Sequence, residues 1–401
     1  GKTDVANSEL VVRTPQCLFS NSGSAIIGSR QGYLCRTSKK DNSMIDNLER
    51  GFMVNQSERF GSVTLTKVHN SSDMKRFLKN TDLRDDTVII KPNWVFQKLG
   101  GFTDCETLRI LLEALDGKII VTEGYQISRV TDEHNRGLKF TIDGKEVDWE
   151  WLRESEDAWQ WLQKQPNWNW FKNGGHWDHM RKQDKRFLDE LGFTDLFNEC
   201  GVEYVNVTEE VWQGRSANSR EVENAVVSKF SPVSDKKLYG YVPKKLFDLE
   251  GASFISFAKL KNMYSSGTFP SFTFKNFFGL IPDPYRSRWH LWFTQSLIDI
   301  VKIYVSLFNV HGLCEGIRNS CLYHPDNEAE KSDDRKYKVY KDLGILAYGQ
   351  HLISVDAVLC GLLGVDPKTL SYLNLGGETF GAYDRSCVEA TKAATSRWFP
   401  W

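Results

Sequence analysis

Two short apolar runs with a capped helix between them constrain this chain more than any other feature. Thr87–Lys91 reads Thr-Val-Ile-Ile-Lys, and Lys118–Glu123 reads Lys-Ile-Ile-Val-Thr-Glu. Continuous β-branched runs of this length fit strands buried on both faces, as in a parallel sheet covered by helices. Between them, residues 103–116 carry Leu108, Leu111, Leu112 and Leu115 at helical spacing, with Thr103 and Asp104 as caps and Gly117 as the stop. Strand, helix, strand is a β-α-β unit with a right-handed crossover. The expected fold class is therefore α/β: Rossmann-like, a mostly parallel sheet flanked by helices.

The rhythm is interrupted once. Seven of the thirteen tryptophans fall between Trp149 and Trp177, so residues 125–183 read as a Trp-rich, largely helical insertion. Residues 1–60 are polar and lack periodicity, and read as an N-terminal extension. That divides the chain into 1–60, a first α/β part at 61–124, the insertion at 125–183, and the remaining α/β part at 184–401. In the last part, helices are expected at 185–199, 287–309 and 355–363, the last opened by Asp356. Strands are expected at 202–207, 244–249, 253–258 and 344–348, and no internal repeat is evident.

Composition narrows the partners. A net charge of −1 without a long basic run argues against nucleic acid or an anionic membrane surface. No apolar run reaches the ~20 residues of a membrane span. The eight cysteines form no C-x-x-C pair, which argues against zinc-ribbon and iron–sulfur sites, so no cofactor is expected. Cys17 and Cys35 are a candidate disulfide. Otherwise reduced thiols lean towards an intracellular protein, although the first residue is Gly, and a targeting peptide ahead of it is left open. Homo-oligomerisation is likewise left open.

The chemistry concentrates at strand ends. In open α/β sheets, ligands bind outside the carboxyl ends of the strands. Lys91 closes one strand and leads into Pro92 and Asn93; Glu123 closes the next; Lys259 closes a third, with Lys261 just beyond. Downstream, Lys275 and Asn276 sit inside the apolar stretch Phe-Lys-Asn-Phe-Phe-Gly-Leu-Ile-Pro at 274–282. A buried ammonium needs an anion or a route to water. Several lysines with one carboxylate suit a small anionic substrate, because cations stabilise a carboxylate, phosphate or enolate. Glu123, Lys259 and Lys275 are the expected catalytic residues, with Glu123 as base. Lys91, Asn93, Lys261 and Asn276 are the expected substrate ligands. His176 and His179 stand three apart but lack an evident third metal ligand, and the tryptophans around them read as a small aromatic core.

These pieces, in this order, resemble the family known as domain of unknown function 362. The resemblance runs through Val-Ile-Ile-Lys-Pro-Asn-Trp-Val (88–95), Thr-Asp-x-Glu-Thr-Leu-Arg (103–109) and Ile-Val-Thr-Glu-Gly (120–124). It continues through Ala-Lys-Leu-Lys (258–261), residues 274–282, and Ser-Val-Asp-Ala-Val-Leu-Cys-Gly-Leu-Leu-Gly (354–364). Many members of that family carry a ferredoxin-like, cysteine-rich segment, and this chain lacks it. The family's lysine motif usually continues Lys-x-Lys-Thr-His; here Lys261 is followed by Asn262 and Met263, so histidine chemistry is not carried over.

The functional expectation is an enzyme on a small carboxylate or phosphate metabolite, with proton-transfer chemistry of the lyase, isomerase or cyclase type. A biosynthetic role fits such chemistry. One alternative is a redox or metal-binding protein using Asp104, Glu123 and Asp356. Another is a non-catalytic assembly subunit that retains the fold.

Overall fold

The computed structural model describes residues 56–400, apart from 84–85, 96, 130–137, 143, 265–267, 324–329 and 333–334. Most of the N-terminal extension, with Cys17 and Cys35, lies outside the described residues. The six described cysteines carry free thiols. No helix among the described residues is long and apolar enough to cross a membrane.

The buried runs form the centre of an eight-stranded mixed sheet. Its strands are β1 (Ser57–Phe60), β2 (Val63–Lys67), β3 (Thr87–Lys91), β4 (Lys118–Glu123), β7 (Glu203–Asn206), β8 (Ser253–Lys259), β11 (Asn309–Gly316) and β15 (Ile345–Gly349). They lie in the order β1-β2-β15-β11-β8-β3-β4-β7. The five strands β11, β8, β3, β4 and β7 are parallel, whereas β15, β2 and β1 pair antiparallel at one side.

Alternate residues of each central strand enter two separate cores, which is why β3 and β4 read as continuous apolar runs. Val88, Ile90, Val121 and Ile255 pack with Leu108 and Leu111 of the helix Cys105–Leu112. Ile89, Ile120, Phe254 and Cys314 pack instead with Leu297 and Val301 of the helix Phe293–Leu307. The crossover from β3 to β4 therefore covers one face, and the crossover from β8 to β11 covers the other. From β3 the chain moves outward through β4 to β7, then returns to place β8 on the opposite side of β3. The strand order thus reverses between β3 and β8.

A smaller antiparallel-rich sheet grows from the same edge. It contains β9 (Lys261–Tyr264), β10 (Thr268–Ser271), β12 (Asn319–Leu322), β13 (Glu330–Ser332) and β14 (Arg335–Lys341), ordered β10-β9-β12-β14-β13. Beyond β4, β5 (Lys139–Ile142) and β6 (Lys145–Asp148) form a hairpin. Phe140, Trp149, Leu152, Trp168, Phe171 and Met180 gather there into a small core of their own. His176 and His179 belong to its aromatic packing, their rings against Phe140 and Trp149 with centroids 4.5 and 5.4 Å apart.

Three expected elements differ in kind or are broken. Residues 244–249 are not a strand: Pro243, with φ fixed at −57°, opens the short helix Lys244–Phe247 instead. The helix expected at 185–199 is two, Trp177–Glu190 and Phe193–Cys200, parted by Gly192 at φ 79°, a conformation glycine adopts freely. The helix expected at 287–309 breaks at Trp292, whose φ of −125° and ψ of 42° are not helical.

Candidate functional site

The carboxyl end of β3 delivers Lys91, and that of β4 delivers Glu123. Their side chains are buried, with Lys91 Nζ 2.8 Å from Glu123 Oε2. Lys91 Nζ also donates to Asn276 Oδ1 at 3.1 Å and to the carbonyl of Pro92 at 3.0 Å. Asn276 arrives from far along the chain because β9 and β10 form a hairpin. Ser271 at the end of β10 pairs with Lys261 at the start of β9, and the helical turn Thr273–Asn276 follows at once. Asn276 Nδ2 donates to the carbonyl of Lys91 at 2.9 Å and to Ser256 Oγ on β8 at 3.2 Å.

Lys261 closes the other half of the network. Its Nζ donates to Asn93 Oδ1 at 2.8 Å and to the carbonyl of Gly101 at 3.0 Å. Asn93 Nδ2 in turn donates to Asn276 Oδ1 at 3.3 Å. Two carboxamides therefore link two buried ammonium groups across the point where the strand order reverses. Beside them, Lys259 at the end of β8 meets Glu315 near the end of β11, with Nζ 2.9 Å from Oε1 and both side chains fully buried. The strand register makes this pair direct neighbours.

Electrostatics bind these groups together. Burial lowers the Lys91 pKa to about 8; Glu123 opposes the fall, and the nearby Arg286 and Arg129 guanidinium groups add to it. Burial also pushes the Glu315 carboxyl up to about 7, against the pull of Lys259. Arg286 is buried and donates to the carbonyls of Ile281, Gly279 and Tyr125. Among the described residues it makes no ion pair within 4.0 Å, and burial brings its pKa down to about 10. Arg129 pairs with Asp184 at 3.2 Å.

The apolar stretch at 274–282 forms a cover over this site. A Cβ on Gly279 would stand 2.6 Å from both Glu123 Oε1 and Lys91 Nζ, so any other residue there would have to push this buried ion pair aside. Asn93 and Trp94, just beyond β3, form a second cover with Thr103. It is fastened by Trp94 Nε1 donating to the carbonyl of Thr103 at 3.0 Å.

Of the expected site residues, Lys91, Asn93, Glu123, Lys261 and Asn276 share one network, and Lys259 stands at the same sheet edge. Lys275 is placed differently. It is half-buried with its ammonium 5.5 Å from the ring centroid of Phe293, and the network runs through its neighbour Asn276 instead. The three carboxylates of the metal alternative hold separate partners. Asp104 caps the helix Cys105–Leu112 through the Thr107 amide, Glu123 pairs with Lys91, and Asp356 accepts from the Thr273 amide and hydroxyl. Among the described residues, no three His, Cys, Asp or Glu side chains group so as to hold a metal ion. Asp356 also corrects the expected helix start. Its helix begins at Leu352, and the carboxylate caps Thr273 and Phe274 across the core.

Sequence reading missed Glu315, Arg286 and Gly279. Glu315-Gly316 repeats the strand-ending Glu123-Gly124, which was the available signal. His311 and Gly312 hid the strand by interrupting its apolar run. His311 is buried there between Ser253 Oγ and Tyr348 OH.

Fold and site together define an α/β protein with a large mixed sheet and a buried lysine–carboxylate network at the carboxyl edge of its parallel strands. The chain belongs to the family described as Domain of unknown function (DUF362), whose model matches residues 88–361. The match includes every member of the network. No curated protein and no solved structure matches the chain.

Proposed function

We propose that this protein is an enzyme acting on a small anionic metabolite by proton transfer, of the lyase, isomerase or cyclase type. The observation that carries this reading is the convergence of Lys91, Lys259 and Lys261, all buried, beside the reversal between β3 and β8. Ligands of doubly wound, Rossmann-like sheets bind at such a reversal. Glu123 and Glu315 offset two of these buried ammonium charges, and Lys261 with the nearby Arg286 keeps the edge cationic towards a substrate anion. In this reading Lys91 and Lys261 hold the anion, and Glu123 fixes Lys91. The Lys259–Glu315 pair exchanges the proton, because a carboxyl pushed up to about 7 can both give and take one near neutrality. The Trp-rich insertion at 125–183 serves as the specificity element, since Tyr125 and Arg129 connect it to the end of β4.

The test is deuterium wash-in. Purified protein is incubated in deuterated water with a metabolite extract, and carboxylate and phosphate compounds are followed by mass. Wild type is expected to add one deuterium to a specific metabolite, and Lys259→Met is expected not to. Identical labelling by Lys259→Met, with its fold intact by circular dichroism, would overturn the role of that pair. No labelling by the wild type would overturn the proton-transfer class.

A further inference from the structure

Beside the 274–282 segment lies a second cluster of side chains that the lysine network does not use. Gly279 packs against the Lys91–Glu123 pair, while its neighbour Phe278 meets the rings of His290 and Phe293, each with centroids 5.0 Å away. Phe293 stacks on the His290 imidazole at 5.5 Å and 22°. Trp159, from the insertion, meets the same imidazole edge-on at 5.3 Å. His290 ends the short helix Ser287–His290, just ahead of the break at Trp292. Three aromatic rings from three separate parts of the chain thus hold one imidazole in place.

The state of that imidazole follows from its partners. His290 Nδ1 stands 2.8 Å from the carbonyl oxygen of Arg286. A carbonyl only accepts, so Nδ1 carries the proton. Burial keeps the ring neutral and brings its pKa down to about 4; the Arg286 carbonyl opposes the fall, and the nearby Lys275 and Arg286 charges add to it. With the proton on Nδ1, Nε2 presents a lone pair in a fixed direction. Nε2 makes no hydrogen bond among the described residues, and it is not one of the polar atoms sealed in the core without a partner. The side chain is half-buried, so this nitrogen is open to a ligand.

We infer that His290 Nε2 is the acceptor of a small-molecule site whose ligand is a hydroxyaromatic compound, its O–H donating to this nitrogen. The donor is neutral or weakly acidic, because the Lys275 and Arg286 charges that disfavour an imidazolium also disfavour a cationic ligand. The body of the ligand is flat and apolar, because the surroundings are. Leu291 and Trp292, the next two residues, are 50% and 75% exposed and are the two most exposed large apolar side chains among the described residues. Aromatic rings gain from packing on one another beyond the area they cover, which an aliphatic alcohol does not offer. The inference goes beyond the proposed function and stands without it, since neither Lys91 nor Lys261 takes part.

The test uses the full chain, isotopically labelled on its histidine nitrogens, with phenol and anisole as probes. Anisole keeps the ring and lacks the O–H donor. Long-range proton–nitrogen NMR spectra report which ring nitrogen carries the proton, and His290→Phe assigns the His290 signals while keeping an aromatic ring in the cluster. Without ligand, His290 is expected to hold its proton on Nδ1 at neutral pH. Phenol is expected to shift the Nε2 signal saturably and to bind about fivefold more tightly than anisole, the ratio that one neutral hydrogen bond supplies. In His290→Phe the two probes are expected to bind alike. Should that variant fold poorly, the comparison of the two probes on wild type still decides. A proton found on Nε2 would overturn the acceptor role. Equal binding of phenol and anisole to wild type would overturn the hydroxyl as the recognised group, and an Nε2 signal unmoved by phenol would overturn the site.

Discussion

At the scale of single residues, the site depends on groups that do no chemistry. Gly279 lets the 274–282 segment lie directly over the Lys91–Glu123 pair. Gly279→Ala is expected to cost about 1–3 kcal/mol, the range for forcing atoms into a packed interior. Urea unfolding measures it, and an unchanged midpoint would mean that the cover does not pack as described. Asp356 holds the amino end of the turn that carries Asn276, and burial pushes its carboxyl from 3.8 up to about 7. Between those values the folded protein keeps a proton that the unfolded chain has lost. Its contribution to stability is therefore full at low pH and is lost as pH rises through about 7. The stability advantage of wild type over Asp356→Asn should fall across that window. A difference independent of pH would show that the carboxyl does not titrate there.

At the scale of elements, neighbouring parallel strands make the ion pairs. β3 and β4 set Lys91 against Glu123, and β8 and β11 set Lys259 against Glu315. Removing one member of a buried pair leaves the other charge uncompensated. Lys91→Met is expected to cost about 3–5 kcal/mol, and Lys91→Met/Glu123→Leu should recover most of that loss. Equilibrium denaturation of both variants measures it; equal losses would show that the pair is not the source. Strands β3, β4 and β8 were legible because they are apolar-rich and end in a charge. β11 was not, since a buried histidine and a glycine interrupt it, and so Glu315 went unseen. The same limit explains Lys275. Sequence shows that 275 and 276 lie together in an apolar stretch, but not which of the two faces the sheet edge. That is set by the turn Thr273–Asn276, which a carboxylate 83 residues downstream holds in place.

At the scale of the whole molecule, the reversal between β3 and β8 gathers the site from five distant parts of the chain. It brings together the ends of β3, β4, β8 and β11 and the turn after β10. The order of elements along the chain announced a parallel α/β unit, but the place of reversal depends on β8 returning beside β3, which no local pattern encodes. Asn93 from just beyond β3 and Asn276 from the turn after β10 meet over that place. The central claim is that Lys91 and Lys261 together hold a small anion. A crystal structure of the full chain soaked with malonate tests it most directly. The account predicts a carboxylate within hydrogen-bond distance of both Lys91 Nζ and Lys261 Nζ, with the Asn93–Asn276 bond broken. A network identical to the one described here, with no malonate density beside either lysine, would contradict it.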